Sequence, residues 1–156
     1  MKTSSLSDAM NQDSARVHAS CVAVAGRGLL IVGVPGTGKS ALTLQMMAFG
    51  AEFIADDRVD LRLERGKVTA ITVQNISGLV EARGIGLLHA SSAGSATVHY
   101  VVDLDQTEDA RLPEPITIQL LGQTVPLLRG AGVPNLPAAL IQLLKMGRVD
   151  PEWPSK

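Results

Sequence analysis

The side chains best suited to chemistry fall in short clusters. The first is Gly33-Val34-Pro35-Gly36-Thr37-Gly38-Lys39-Ser40, followed by Ala41, and it fits the spacing G-x-x-x-x-G-K-[ST] of a phosphate-binding loop. Its glycines permit a tight turn in which successive backbone N–H groups face one anionic group. Lys39 is long enough to reach the outer phosphates of a nucleotide, and the Ser40 hydroxyl suits a magnesium ion held between two of them. The second cluster is the adjacent pair Asp56-Asp57. Carboxylates near a phosphate loop can hold magnesium, directly or through water, or take a proton as base. The third is Glu81-Ala82-Arg83, an acid and a base ahead of the glycine-punctuated run Gly84-Ile85-Gly86. Taken alone, that segment reads as an edge turn with a surface ion pair.

A phosphate loop works only where a strand delivers it and a helix leaves it. Gly28-Leu29-Leu30-Ile31-Val32 is a continuous apolar run that reads as a buried strand. After the loop, Ala41 to Phe49 lacks Gly and Pro and is rich in helix formers, and Gly50 stands at the expected C-cap. The helix N-terminus then points at the phosphate. Upstream, Val17 to Val24 suits a strand, and Gly26-Arg27-Gly28 turns it into the strand that feeds the loop. The loop strand therefore has an antiparallel neighbour. His18 lies on that neighbour and, by itself, reads as a partly buried, hydrogen-bonded strand histidine. Glu52-Phe53-Ile54-Ala55 is the short apolar strand that ends in the paired aspartates.

Composition limits the rest. The chain of 156 residues is 46% hydrophobic but only 3% aromatic, so Ala, Val, Leu and Ile must build one core. A net charge of −1 without a basic excess argues against a dedicated nucleic-acid binder. The single cysteine, Cys21, allows no intrachain disulfide and reads as a small buried hydrophobe. No apolar run approaches a membrane span, and the N-terminus lacks the apolar region of a secretory signal, so a cytoplasmic protein is expected.

Further along, Val59 to Leu63 and Lys67 to Val73 alternate around Glu64-Arg65-Gly66, a hairpin signal, and Gln74 to Gly78 is a polar connection. Ala90 to Ala96 is a small-residue loop expected to be mobile. Thr97 to Leu104 reads as a core strand, with His89 and His99 structural. Ile116 to Leu121 and Gln123 to Leu128 read as strands around Gly122, Arg129 to Asn135 as a loop, and Leu136 to Met146 as a terminal helix. The expected organisation is a loose leader over 1–16, one P-loop domain over 17–147 and a tail over 148–156. The fold class is α/β, a P-loop domain with a mixed, partly antiparallel sheet around a central P-loop helix.

Val17-His18-Ala19, Gly26-Arg27-Gly28, the phosphate loop, Ala55-Asp56-Asp57-Arg58-Val59 and Glu81-Ala82-Arg83-Gly84-Ile85-Gly86 occur in the order found in HPr kinase/phosphorylase. From about residue 16 to residue 145 the chain resembles that enzyme's catalytic domain, in a short single-domain form. The resemblance implies ATP- and magnesium-dependent phosphorylation of a serine of HPr, a phosphocarrier protein of the sugar phosphotransferase system. It also implies phosphorolysis of the product, in which inorganic phosphate attacks and pyrophosphate leaves. By residue, it makes Asp56 the acid/base, His18 its neighbour, Asp57 a supporting carboxylate and Arg83 a phosphate- or partner-facing cation. Ser40 and Glu81 become magnesium ligands, and a homo-oligomer without membrane or nucleic-acid partners is expected. The family's loop more often carries an acidic residue and a serine where this chain has Val34 and Pro35. The same motifs would serve a kinase acting on a small hydroxyl compound such as a sugar or sugar acid. A nucleotide-binding sensor without turnover is the remaining alternative.

Overall fold

The computed structural model describes residues 3–4, 13–74 and 78–151. Its elements are β1 (Thr3–Ser4), β2 (Ser14–His18), β3 (Ser20–Val24), β4 (Arg27–Val32), α1 (Lys39–Ala48), β5 (Glu52–Ala55) and β6 (Arg58–Glu64). There follow β7 (Lys67–Thr72), β8 (Leu79–Ala82), β9 (Gly86–His89), β10 (Ser95–Thr107), β11 (Ile116–Leu120), β12 (Gln123–Ala131) and α2 (Leu136–Met146). Three hairpins share one turn chemistry: Ala25-Gly26, Arg65-Gly66 and Leu121-Gly122 all have positive φ at both residues. Such turns match the right-handed twist of the strands they join. The turn before the loop strand thus lies at Ala25-Gly26, earlier than the Gly26-Arg27-Gly28 expected, and Arg27 and Gly28 are already in β4.

The main sheet runs β1-β2-β6-β7-β10-β4-β3-β5, with β12 and β11 continuing from β10. Most pairs are antiparallel. The long strand β10 is the seam: it starts antiparallel to β7, runs parallel to β4, and continues parallel to β12. The loop strand β4 therefore sits between antiparallel β3, as expected, and parallel β10. Helices α1 and α2 lie together against one face, over Val22, Val24, Leu29, Ile31 and Val102. The other face gathers Cys21, Ala23, Leu30, Ile54 and Val101 with side chains of β2, β6, β7, β11 and β12. With both faces covered, β3 and β4 read as unbroken apolar runs, not as alternations.

A register shift between Val98 and Tyr100 places His99 opposite no residue of β4. This bulge switches the phase of β10, so Ala96, Val98 and Val101 share one core while Tyr100 and Val102 meet the helices. Beside it, a Cβ on Gly28 would stand 2.7 Å from the Thr97 carbonyl oxygen, so only glycine lets the two strands approach. Arg27 secures the end of α2 by donating from Nη1 to the carbonyls of Leu144 and Lys145, both at 2.9 Å.

Several boundaries differ from expectation. Strand β2 begins at Ser14, inside the stretch read as a leader, and its Ala15 and Val17 are buried. Residues 5–12 lie outside the described residues, as do 75–77 of the polar connection and 152–156 of the tail. The strand expected over 17–24 is two strands interrupted at Ala19. Strand β12 runs on to Ala131, into the stretch read as a loop. The Ala90–Ala96 segment is fastened to β5: Ser92 Oγ donates to the Ile54 carbonyl at 2.7 Å, and the Ala93 N–H to that of Phe53 at 2.8 Å.

Candidate active site

Strand β4 runs out at Val32 and the chain turns through Gly33, Gly36 and Gly38, at φ 155°, 89° and 99°, before α1 starts at Lys39. A side chain at Gly36 or Gly38 would have room but not an allowed backbone, so these glycines serve conformation, not space. Among the described residues, the amides of Gly38, Lys39, Ser40 and Ala41 have no acceptor, as the geometry of a helix N-terminus requires. Lys39 Nζ donates to the Gly33 carbonyl at 2.8 Å and to that of Val34 at 3.3 Å. The same Val34 carbonyl accepts from the Thr37 N–H at 3.2 Å and the Thr37 hydroxyl at 2.8 Å. Val34 and Pro35 themselves are exposed.

Strand β3 separates β4 from β5, so the C-terminal end of β5 comes down beside the loop. There Asp56 is half-buried and surrounded by donors. The Ser40 hydroxyl lies 2.9 and 2.8 Å from its two carboxylate oxygens, the Ser20 hydroxyl donates at 2.7 Å, and the Glu81 N–H at 3.1 Å. Asp57 turns the other way. The Arg58 N–H donates to the Asp56 carbonyl at 2.8 Å around Asp57 at φ 69°, a three-residue turn that strains a non-glycine residue. Two bonds hold it: the Asp57 carbonyl accepts from the Ala19 N–H at 3.1 Å, and the Asp57 N–H donates to Ser20 Oγ at 3.3 Å. The turn is what lets neighbouring aspartates face different surroundings. The Asp57 side chain remains 69% exposed with a loose 3.8 Å contact to Arg58.

The other expected site residues divide. His18 is exposed at the end of β2, opposite Arg58 in the register, and no hydrogen bond joins it to Asp56 among the described residues. Glu81 reaches Asp56 through its backbone, while its side chain is exposed on β8. Arg83 sits at the tip of the β8–β9 hairpin, where the Ile85 N–H donates to the Ala82 carbonyl at 2.9 Å, and it is exposed. Two further contacts belong to residues that carry no sequence motif. Ser20 is a fully buried hydroxyl in an apolar strand, and that contrast was its only signal. Asp105, near the end of β10, accepts the Val34 N–H at 3.0 and 3.2 Å. Cys21 is buried, its thiol pushed up to about 12 by desolvation, so it takes no part.

Among the described residues no group of three or more His, Cys, Asp and Glu side chains could cage a metal ion. The Ser40 hydroxyl and the Asp56 carboxylate, with Glu81 next to them, form a sparse oxygen set. Such a set fits magnesium, which keeps waters and shares phosphate oxygens, better than it fits calcium or a transition metal. The open amides and Lys39 fit polyphosphate.

The family model of the HPr Serine kinase C-terminal domain matches residues 10–120. The chain is 32% identical over 111 residues to HPr kinase/phosphorylase of Clostridium novyi, covering 67% of this chain and 36% of that protein. With the Acidovorax enzyme of the same name it shares 34% over 131 residues, covering 75% of this chain and 41% of the relative. The chain thus spans well under half the length of these relatives. Among solved structures, the HPr(Ser) kinase/phosphatase of Coxiella burnetii superposes with a TM-score of 0.72 at 26% identity, covering 83% of this chain and 88% of that one.

Proposed function

From a chain that belongs to the family of the HPr serine kinase C-terminal domain, we propose an ATP- and magnesium-dependent kinase that phosphorylates a serine of HPr. The observation that carries this reading is the Ser40–Asp56 contact, which joins the phosphate loop to a carboxylate at the helix N-terminus. Bound magnesium nucleotide supplies the phosphoryl group and neutralises much of the charge on it. The chain supplies the rest. Loop amides and Lys39 hold the phosphates, and Lys39 must first leave the Gly33 and Val34 carbonyls. Ser40 would serve as a magnesium ligand, and once its hydroxyl leaves Asp56 the carboxylate oxygens can accept the proton of the acceptor hydroxyl. The oxygen of that acceptor hydroxyl then bonds to phosphorus as the bond to ADP breaks. Ser20 and the Glu81 N–H keep the carboxylate aimed meanwhile. Run in reverse, an oxygen of inorganic phosphate bonds to the phosphoserine phosphorus as the bond to the serine oxygen breaks, the same carboxylate returns the proton to that oxygen, and pyrophosphate leaves.

A protein acceptor is favoured over a small hydroxyl compound by the β8–β9 hairpin. It leaves the site at Glu81 and presents Arg83 beside Ile85 and Leu87, which are 78% and 69% exposed. Exposed apolar side chains next to a cation suit a partner surface. A cytoplasmic homo-oligomer accompanies this reading. The test is phosphoryl transfer from ATP with magnesium to HPr, to HPr lacking its acceptor serine, and to a panel of sugars and sugar acids, each with Lys39→Ala as control. Transfer to intact HPr alone, lost in the Lys39→Ala protein, supports the proposal. Transfer to a small compound in preference to HPr would replace it, and nucleotide binding without any transfer would leave a sensor.

A further inference from the structure

The geometry points to Asp105 as a positioning residue that sets the shape of the phosphate loop from the neighbouring strand. This rests on reading residues 33–40 as a phosphate site. The parallel register pairs Asp103 with Val32, so β10 reaches its acidic end just where β4 gives way to the loop. The loop serine is held from β5, by Asp56. Asp103 turns inward along its own strand instead, accepting from the Asp105 N–H at 2.8 Å and from Gln106 Nε2 at 2.7 Å. Gln106 in turn accepts from Arg129 Nε at 3.2 Å, which ties the end of β10 to β12. Asp105 is thereby rooted, and both its oxygens lie within reach of the Val34 N–H.

Val34 joins two rigid peptide units, and the shape of the loop depends on how each is held. With its N–H held outward by Asp105 and its own carbonyl engaged by Thr37 and Lys39, Val34 has its backbone groups held on both sides. Gly33 has no room for a side chain, since a Cβ there would stand 2.5 Å from Thr37 Oγ1. A loop held open in advance loses less entropy when phosphates bind. Without the acceptor at Asp105, the Gly33–Val34 peptide is held at one end alone, by Lys39 on the Gly33 carbonyl, and once Lys39 moves to the phosphates the ligand must order the loop.

The experiment measures binding of magnesium ATP and of inorganic tripolyphosphate by calorimetry to the whole chain, as wild type, Asp105→Ala and Asp105→Asn, with a thermal melt of each. One N–H needs one acceptor, so the asparagine carbonyl should serve. A hydrogen bond to a charged but exposed group predicts about tenfold weaker binding of both probes by Asp105→Ala, and recovery to within about threefold by Asp105→Asn. In transfer assays the KM for ATP should rise by the same factor while kcat and the KM for HPr hold. Equal affinity in folded Asp105→Ala overturns the proposal. So does tighter binding, which would make the carboxylate a competitor of phosphate, and so does failure of folded Asp105→Asn to recover. If Asp105→Ala does not fold, Asp105→Asn alone decides: near-wild-type binding supports the role, and weak binding overturns it. Wild-type protein that binds neither probe would instead remove the phosphate-site reading, and the strut with it.

Discussion

Ser20 is the place where the structure makes its sharpest quantitative demand. Ser20→Ala removes one hydroxyl from a position with no exposed surface. That hydroxyl donates to the Asp56 carboxylate at 2.7 Å and accepts the Asp57 N–H at 3.3 Å. The first bond is to a charged group, worth about 1.5–3 kcal/mol, and loss of the second strands an amide in a strained turn at a further cost of about 1–3 kcal/mol. The two overlap, because Ser40 and the Glu81 N–H still serve the carboxylate, and the turn can relax once released. A net loss of about 2–3 kcal/mol follows. For a chain of this size that lowers Tm by roughly 5–10 °C, measurable by calorimetry or by circular dichroism on heating. Ser91→Ala, an exposed serine of the neighbouring segment, is the control and should leave Tm unchanged. Transfer activity should fall in the surviving folded protein at temperatures well below Tm, since Asp56 is then held from fewer sides. A Tm within about 1 °C of wild type would refute the reasoning, because it would mean that neither the carboxylate nor the Asp57 turn depends on this hydroxyl.

Asp56→Asn keeps the shape but removes the proton acceptor, so transfer should drop by roughly 10²–10⁴-fold with nucleotide affinity little changed, while Glu81→Gln should raise the magnesium concentration needed; a magnesium titration of both rates separates base from metal ligand. Gly130→Ala would push a Cβ to 2.7 Å from Val102 Cγ2 and 3.3 Å from Leu136 Cδ2, wedging α2 from the sheet. About 1–3 kcal/mol of destabilisation in a denaturant titration is expected. His99 has its pKa lowered from 6.5 by partial burial and then by the positive charges of Arg27 and Lys67. The unfolded chain therefore binds the proton more readily: the contribution to stability is whole above pH 6.5 and declines as pH falls below it toward the lowered value. His99→Gln should flatten that part of the Tm–pH curve.

Much of the loop that frames the candidate site was legible because local chemistry demands particular residues. A chain that wraps phosphate needs glycines at positive φ, a lysine and a hydroxyl at fixed spacing, and a strand and helix on either side, all within one short segment. The hairpins were legible for the same reason, since alternation and a glycine turn are properties of adjacent residues, although the turn before β4 lay earlier than its glycines suggested. The helix from Leu136 to Met146 could be placed by its composition and by the loop before it.

What joins distant segments could not be read this way. That β10 lies parallel to β4, that β5 ends beside Ser40, and that Glu81 touches Asp56 with its backbone are results of strand order, which no single segment encodes. Asp56 and Asp57 are identical in type and adjacent in the chain. Only the strained turn at Asp57 gives one the loop serine and leaves the other to solvent. Ser20 and Asp105 were silent in the sequence because a lone serine in a strand and an acid at a strand end have many ordinary uses. Tertiary packing gave each a single partner set, by excluding water around Ser20 and by carrying β10 past the end of β4, so that Asp105 meets the Val34 N–H.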